Sequence, residues 1–422
     1  MKNLIISTYD TQGGAARAAY RLHQGLNSIG ADSQMLVQVK FSNDSDILAT
    51  GSKIVKKFPK LKPHLDSLPK LFFMPSDSKK RNPYSLQWLP DSIASVVHKI
   101  KPDIINLHWI SGGFINIETI AKFNKPVVWT LHDMWAFTGG CHYSQECDLY
   151  KKSCGNCPQM PPKYNLDLSR WVWERKAKAW ANINGTLVTP SRWLANCAVS
   201  SSLFRDWRIE VIPYGLDTEV YKPFEQSLAR KKLTLPQDKH LILFGADNVS
   251  TTPRKGFHLL KTALENLSKT DWRNKCELVV FGATKFDDSP DLGIKTHYLG
   301  KLKDENTIAQ VYAAADVFIA PSLQDNLPNT VMESLACGTP CVAFNIGGMP
   351  DMIEHQQNGY LAKPFDVEDL ARGIAWILEA SNSEDCKLGH YAHEKVEREF
   401  KLEIQARRYL SLYENITNPN LM

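Results

Sequence analysis

Short apolar runs alternate with helix-patterned stretches along this chain, in two separate series. Leu4-Ile5-Ile6-Ser7 leads into the turn cluster Asp10-Thr11-Gln12-Gly13-Gly14. Ala15, Ala18, Ala19, Leu22 and Leu26 then share one side of a helix that Gly30 can stop. Met35-Leu36-Val37 and residues 103–107, 126–131 and 186–189 read as further strands. After Pro236 the pattern restarts with a strand at 241–245 and a helix over 255–267. Residues 278–282, 316–321 and 341–344 follow as strands. Such alternation implies α/β architecture, with parallel sheets covered by helices on both faces. Two series imply two doubly wound, Rossmann-like domains. Ligands of such sheets sit beyond the carboxyl ends of the strands, so a site shared by both domains is expected in a cleft between them. The proline- and glycine-bearing stretch 211–224 reads as the linker. A last helix over 395–415 carries Phe400, Ile404, Tyr409, Leu410 and Tyr413 as packing residues.

Composition narrows the function classes. A chain of 422 residues with 43% hydrophobic and 23% charged residues is an ordinary globular mixture. Its length suggests about two to three domains. No apolar run reaches the roughly 18 residues of a membrane span. The start, Met1-Lys2-Asn3-Leu4-Ile5-Ile6-Ser7, lacks the apolar core of a secretory signal, so a cytoplasmic location is expected. A net charge of +5 is too small to argue for nucleic acid as a partner. In the cytosol the nine cysteines are expected to be reduced.

Six features could carry chemistry. Gly13 and Gly14 stand between strand and helix, where glycine lets a backbone approach a phosphate; a tight turn would use them equally well. Pro253-Arg254-Lys255-Gly256 sets two cations beside a helix start, suited to a diphosphate or to a solvated loop. The stretch from Pro321 to Glu333 follows a buried strand. There Asp325 and Glu333 could bind sugar and ribose hydroxyls, while amides around Asn326, Leu327, Pro328, Asn329 and Thr330 hold phosphate. The alternative is a capping acid plus a surface acid. His132 ends an apolar strand, placed for a ligand or for packing. Cys141, Cys147, Cys154 and Cys157, spaced C-x5-C-x6-C-x2-C around His142, could close a structural zinc site, stay free thiols or form a disulfide. Residues 53–81 interleave Lys53, Lys56, Lys57, Lys60, Lys62, Lys70, Lys79, Lys80 and Arg81 with apolar residues, against only Asp66 and Asp77. That suits an anionic membrane surface or a basic loop, and prolines 59, 63, 69 and 75 argue against one long helix. Asp44-Ser45-Asp46 matches a metal-binding DxD but has no supporting context in the sequence.

Together these pieces resemble a retaining glycosyltransferase of the GT-B fold, in family 4. The most specific part is Asp325-(seven residues)-Glu333, similar to the family's E-x7-E signature. Leu335-Ala336-Cys337-Gly338-Thr339-Pro340 and Gly347-Gly348-Met349-Pro350 extend the match, and Val211-Ile212-Pro213-Tyr214-Gly215 resembles the interdomain segment. The final helix is similar to one that crosses back to the first domain. The resemblance therefore implies an acceptor-side domain of 1–220 with 395–422, and a donor-binding domain of 221–394. It further implies that Glu333 binds the ribose of a nucleotide sugar and that Asp325 contacts the transferred sugar. Lys255 and Arg254 would hold the diphosphate, Gly14 and its neighbour would cover the phosphates, and His132 would touch the donor sugar near the reacting carbon. No catalytic metal is expected. Asp325 departs from the usual glutamate by one methylene, and Ala246 follows Gly245 where many relatives carry an arginine. The stretch from His132 to Cys141 resembles a subgroup that builds bacterial surface polysaccharides, including colanic-acid-type enzymes. The expected partners are a nucleotide sugar and an oligosaccharide or polyprenyl-linked acceptor. Residues 53–81 would face the inner side of the plasma membrane. A GT-B phosphorylase, or a non-catalytic subunit of a polysaccharide assembly, is the alternative.

Overall fold

The computed structural model describes residues 1–50, 61–73, 83–160, 167–183, 185–245, 252–283, 292–383 and 385–418. The chain forms two compact units. One is Met1–Gly215 with Leu402–Met422; the other is Leu216–Lys401.

The first unit is built on β1 (Lys2–Tyr9), β2 (Asp32–Val39), β3 (Ile47–Ala49), β4 (Ile104–Leu107), β5 (Val127–Thr130), β6 (Gly185–Thr189) and β7 (Arg208–Val211). These pair in the order β3-β2-β1-β4-β5-β6-β7, every pair parallel. The order reverses between β1 and β4, which opens a crevice at their carboxyl ends. Helix Gly14–Ser28 and the last helix, Leu402–Thr417, lie together on one face. Gly25 is where they meet, since a Cβ there would lie 3.0 Å from the Leu402 side chain. Tyr413 accepts a hydrogen bond from Asn106 Nδ2 (2.7 Å), and the Tyr409 hydroxyl meets Thr130 Oγ1 at 2.9 Å, so the returning helix is tied to β4 and β5.

The second unit holds β8 (His240–Gly245), β9 (Cys276–Phe281), β10 (Thr296–Gly300), β11 (Val317–Ala320), β12 (Cys341–Phe344) and β13 (Gly359–Ala362). They pair in parallel as β10-β9-β8-β11-β12-β13, so the reversal falls between β8 and β11. Central strands such as β11 and β12 are buried at every position, which is why their apolar runs stand out in the sequence.

Edge strands and boundaries differ from the sequence reading. Strands β3, β7, β10 and β13, absent from that reading, are short and less fully buried. Residues 216–220 and 395–401 belong to the second unit, not the first. Leu216 N–H donates to the Phe400 carbonyl (2.8 Å), and Lys395 pairs with Glu354 at 2.8 Å, which binds both stretches there. The single helix expected over 395–415 is two, Leu388–Glu399 and Leu402–Thr417, with the break at Phe400 and Lys401. Of the basic stretch 53–81, residues 53–60 and 74–81 lie outside the described residues. Between them runs the helix Leu61–Phe73, with Pro63 in its first turn and Pro69 inside it. Proline in a first turn costs no hydrogen bond, so the segment is more helical than its prolines suggest. No described helix is long and apolar enough to cross a membrane.

Candidate functional site

Three strand-end loops of the second unit converge on one buried carboxylate. Asp325, in the loop after β11, is 6% exposed. Its Oδ2 lies 2.6 Å from Lys255 Nζ, 3.2 Å from Arg254 Nη1 and 3.2 Å from Ser322 Oγ; its Oδ1 accepts from Asn326 N–H at 3.2 Å. Burial alone would raise its pKa. The Lys255 and Arg254 charges and the hydrogen bonds from Lys255 and Ser322 outweigh burial and hold the carboxyl well below the usual carboxylate range. The loop after β8 is joined to the loop after β11 by Leu323 N–H on the Arg254 carbonyl (2.8 Å) and Arg254 Nη1 on the Gln324 carbonyl (2.6 Å). The loop after β12 closes the set through Gly348 N–H on the Asp325 carbonyl at 3.2 Å.

Glycine is obligatory at two of these contacts. Gly256 sits at φ 70°, and a Cβ there would fall 1.7 Å from the Pro321 carbonyl oxygen. Gly347 sits at φ 55°, with a Cβ position 2.0 Å from the Asp325 carbonyl oxygen. Both combine left-handed backbone with main-chain contact that no side chain can relieve. Gly256 also ends the short turn Pro253–Lys255, so Arg254 and Lys255 precede the helix Phe257–Leu267 rather than open it.

Glu333 lies in helix Asn329–Ala336 and is 2% exposed. Tyr312 donates its hydroxyl to Glu333 Oε2 at 3.1 Å. Burial, reinforced by the Glu333 charge, raises the Tyr312 pKa well above its ordinary value, so the phenol stays a donor. Pro328 precedes the helix and no side chain caps its first turn. That leaves the positive helix end beside Asn326, Leu327, Pro328, Asn329 and Thr330.

In the first unit His132 follows β5 and is 9% exposed. Its Nδ1 meets the Tyr214 hydroxyl at 2.7 Å, and its Nε2 meets His108 Nδ1 at 2.9 Å. Burial lowers the His132 pKa to about 4, against a smaller opposing pull from Asp133. His108 is lowered well below its ordinary value by burial and then by His132. Both rings are therefore neutral at pH 7, and one proton is shared along each contact. His108 follows β4 at the sheet's reversal point, and its Nε2 is buried without a hydrogen-bond partner. The sequence reading missed it; a histidine directly after the strand over 103–107 was the available signal.

The first unit brings other candidates to the same end of its sheet. Gly13 caps helix Gly14–Ser28 at φ 95° with nothing within 4 Å of a Cβ position, so the backbone is open to an approaching group. Asp10 beside it is structural: its carboxylate accepts from Thr11, Phe41 and Ser42 N–H groups at 2.9, 3.0 and 2.8 Å. His142 is turned away from the cysteines. Its Nδ1 meets Asp133 Oδ2 at 2.7 Å and its Nε2 meets Ser85 Oγ at 3.0 Å. The DxD pair gains the context it lacked in sequence, since buried His23 places Nε2 3.6 Å from Asp44 Oδ2, with Asp46 in the same group.

Two parallel α/β units, with candidate ligand groups at the strand ends of each, define the GT-B class of glycosyltransferases. The family comparisons agree. Residues 12–220 match the family described as Glycosyltransferase Family 4, and residues 225–395 match Glycosyl transferases group 1. The chain belongs to this family. A D-inositol 3-phosphate glycosyltransferase of Acidothermus cellulolyticus is 29% identical over 199 residues, covering 44% of each chain. An Escherichia coli K12 protein described as a colanic acid biosynthesis glycosyl transferase is 24% identical over 268 residues, 60% of this chain and 62% of its own. The chain spans about half the length of the curated relatives it matches. Among solved structures, an Anabaena HepE protein in complex with UDP-glucose superposes with a TM-score of 0.64 at 16% identity. That match covers 98% of this chain and 100% of the other.

Proposed function

We propose that this chain transfers a sugar from a nucleoside diphosphate sugar to a surface-polysaccharide or lipid-linked oligosaccharide acceptor, with retention of anomeric configuration. One observation carries the reading: two cations and two buried acids gather at the reversal point of the second sheet. The likeness to the colanic acid protein supports the acceptor class, and the nucleotide sugar named with the Anabaena structure supports the donor class.

In this reading Glu333, its carboxylate oriented by Tyr312, accepts hydrogen bonds from the ribose hydroxyls. Lys255, Arg254 and the amides at Asn329 and Thr330 meet the diphosphate. As the bond between the anomeric carbon and the phosphate oxygen breaks, its electron pair goes to the diphosphate. The cations therefore stabilise the transition state more than the ground state. The acceptor oxygen bonds to the anomeric carbon on the face the leaving group departs, and its proton passes to the leaving phosphate oxygen. No protein nucleophile is assigned. Asp325 holds the two cations in place and offers Oδ1 to the sugar. From the first unit we assign His132 to the donor sugar and Gly13 and Gly14 to the phosphates. Exposed Leu61, Leu65 and Leu68, spaced along one side of helix Leu61–Phe73, support membrane contact beside the basic stretch.

The test is a thermal-shift screen against nucleoside diphosphate sugars with Glu333→Ala as control. Stabilisation by one donor, absent in the variant, is expected. No response to any donor overturns the reading in favour of a non-catalytic subunit. NMR of the product then reads the anomeric configuration, and inversion would overturn retention.

A further inference from the structure

We propose that Cys141, Cys147, Cys154 and Cys157 bind one zinc ion as a closed four-thiolate structural site, with Lys176 as its buried counter-charge. All four cysteines are free thiols and line a single cavity of about 20 Å³ in the first unit, together with Tyr84, Thr138 and Gly139. The cysteines outside this stretch do not line it.

Gly139 N–H points at Cys154 Sγ, 3.1 Å away, and Gln159 N–H at Cys157. Main-chain donors aimed at both sulfurs of Cys154-x2-Cys157 can hydrogen-bond metal-bound thiolates. Gly139 has no room for a side chain, since a Cβ would lie 2.8 Å from Cys154 Cβ and 2.3 Å from the Ser169 carbonyl oxygen. That contact keeps the donor close to its sulfur. Lys176 is fully buried, and its ammonium donates to the Trp135 and Thr138 carbonyls and lies 3.7 Å from the Trp135 ring centroid. Among the described residues it makes no ion pair with a carboxylate; Cys154, Cys141 and Asp133 lie within its electrostatic reach. Zinc with four thiolates carries a net charge of −2, which Lys176 partly offsets.

His142, inside the cysteine run, is excluded as a ligand because Asp133 and Ser85 take both ring nitrogens. Among the described residues no three of the sulfurs lie within 4.8 Å of one another. Zinc–sulfur bonds of about 2.3 Å would draw them closer, contracting the loop around the cavity. Binding forms four Zn–S bonds and releases four thiol protons to solvent. The ion would lock the segment that carries His142, and through it Asp133, next in sequence to His132.

The full chain, purified without chelator, is assayed for metal by elemental mass spectrometry and for reactive thiols. About one zinc per chain is expected. The four thiols should be masked until a mercurial releases the metal, and cobalt substitution should give the spectrum of tetrahedral thiolate coordination. Cys157→Ser should lose the zinc, while Cys197→Ser and Cys386→Ser keep it. Four freely reactive thiols without zinc overturn the proposal. So does an intact mass showing disulfides, or iron in place of zinc. If Cys157→Ser does not fold, the metal content and cobalt spectrum of the unaltered chain decide.

Discussion

Replacing Asp325 by asparagine keeps the shape of the central carboxylate and removes its charge. Lys255 and Arg254 would then face each other with no anion, in a site where their side chains are 30% and 15% exposed. Breaking a buried ion pair costs roughly 3–5 kcal/mol, and the partial exposure of Lys255 puts this case near about 3 kcal/mol. At about 2–4 °C per kcal/mol for a unit of this size, the second unit should melt about 6–12 °C lower at pH 7. The pH dependence follows from the depressed pKa. Stabilisation by Asp325 is complete above the unfolded carboxyl value of about 4 and is lost as pH falls toward the folded value. Asp325→Asn lacks that contribution at every pH, so the gap in stability should narrow below about pH 4. Calorimetric melting of both proteins from neutral to acid pH is the assay. The freed cations should also leave binding of a nucleoside diphosphate without sugar undiminished. Equal melting temperatures at pH 7, or a gap that stays constant on acidification, would refute the electrostatic account.

Four other outcomes are expected. His108→Gln should cut kcat about ten-fold while donor KM holds within about two-fold, because the change misorients His132 without touching the nucleotide site. With His132 lowered to about 4, its protonation costs stability as pH falls from about 6.5 to 4, and the pH–rate profile should show no histidine limb near 6.5. Gly256→Ala forces a Cβ against the Pro321 carbonyl from a left-handed backbone. It should abolish donor binding or prevent folding of the second unit, whereas a stable, donor-binding variant would contradict the packing described. Replacing Leu61, Leu65 and Leu68 together by serine should reduce co-sedimentation with anionic vesicles and leave transfer to a water-soluble acceptor intact; unchanged sedimentation would discard the membrane role.

The two parallel sheets are legible in the sequence, because central strands buried on both faces carry runs of apolar residues, as β1, β4, β5, β8, β9, β11 and β12 do. The sequence also marked Asp325, Glu333, Lys255, Arg254 and His132, since strand ends and helix starts are local features and a polar residue there stands out. Edge strands such as β7 were not legible, because one-sided pairing relaxes the demand for apolar residues. The split of the last helix at Phe400 and Lys401 depends on a hydrogen bond to Leu216, remote in the chain. Only the tertiary structure could reveal that Asp325 gathers both cations, that His108 and Tyr214 flank His132, and that His142 turns away from the cysteines. The pairings at His132 and between Lys255 and Asp325 join residues 24 to 82 positions apart, and no local pattern encodes which side chains the crossing strands bring within hydrogen-bond distance.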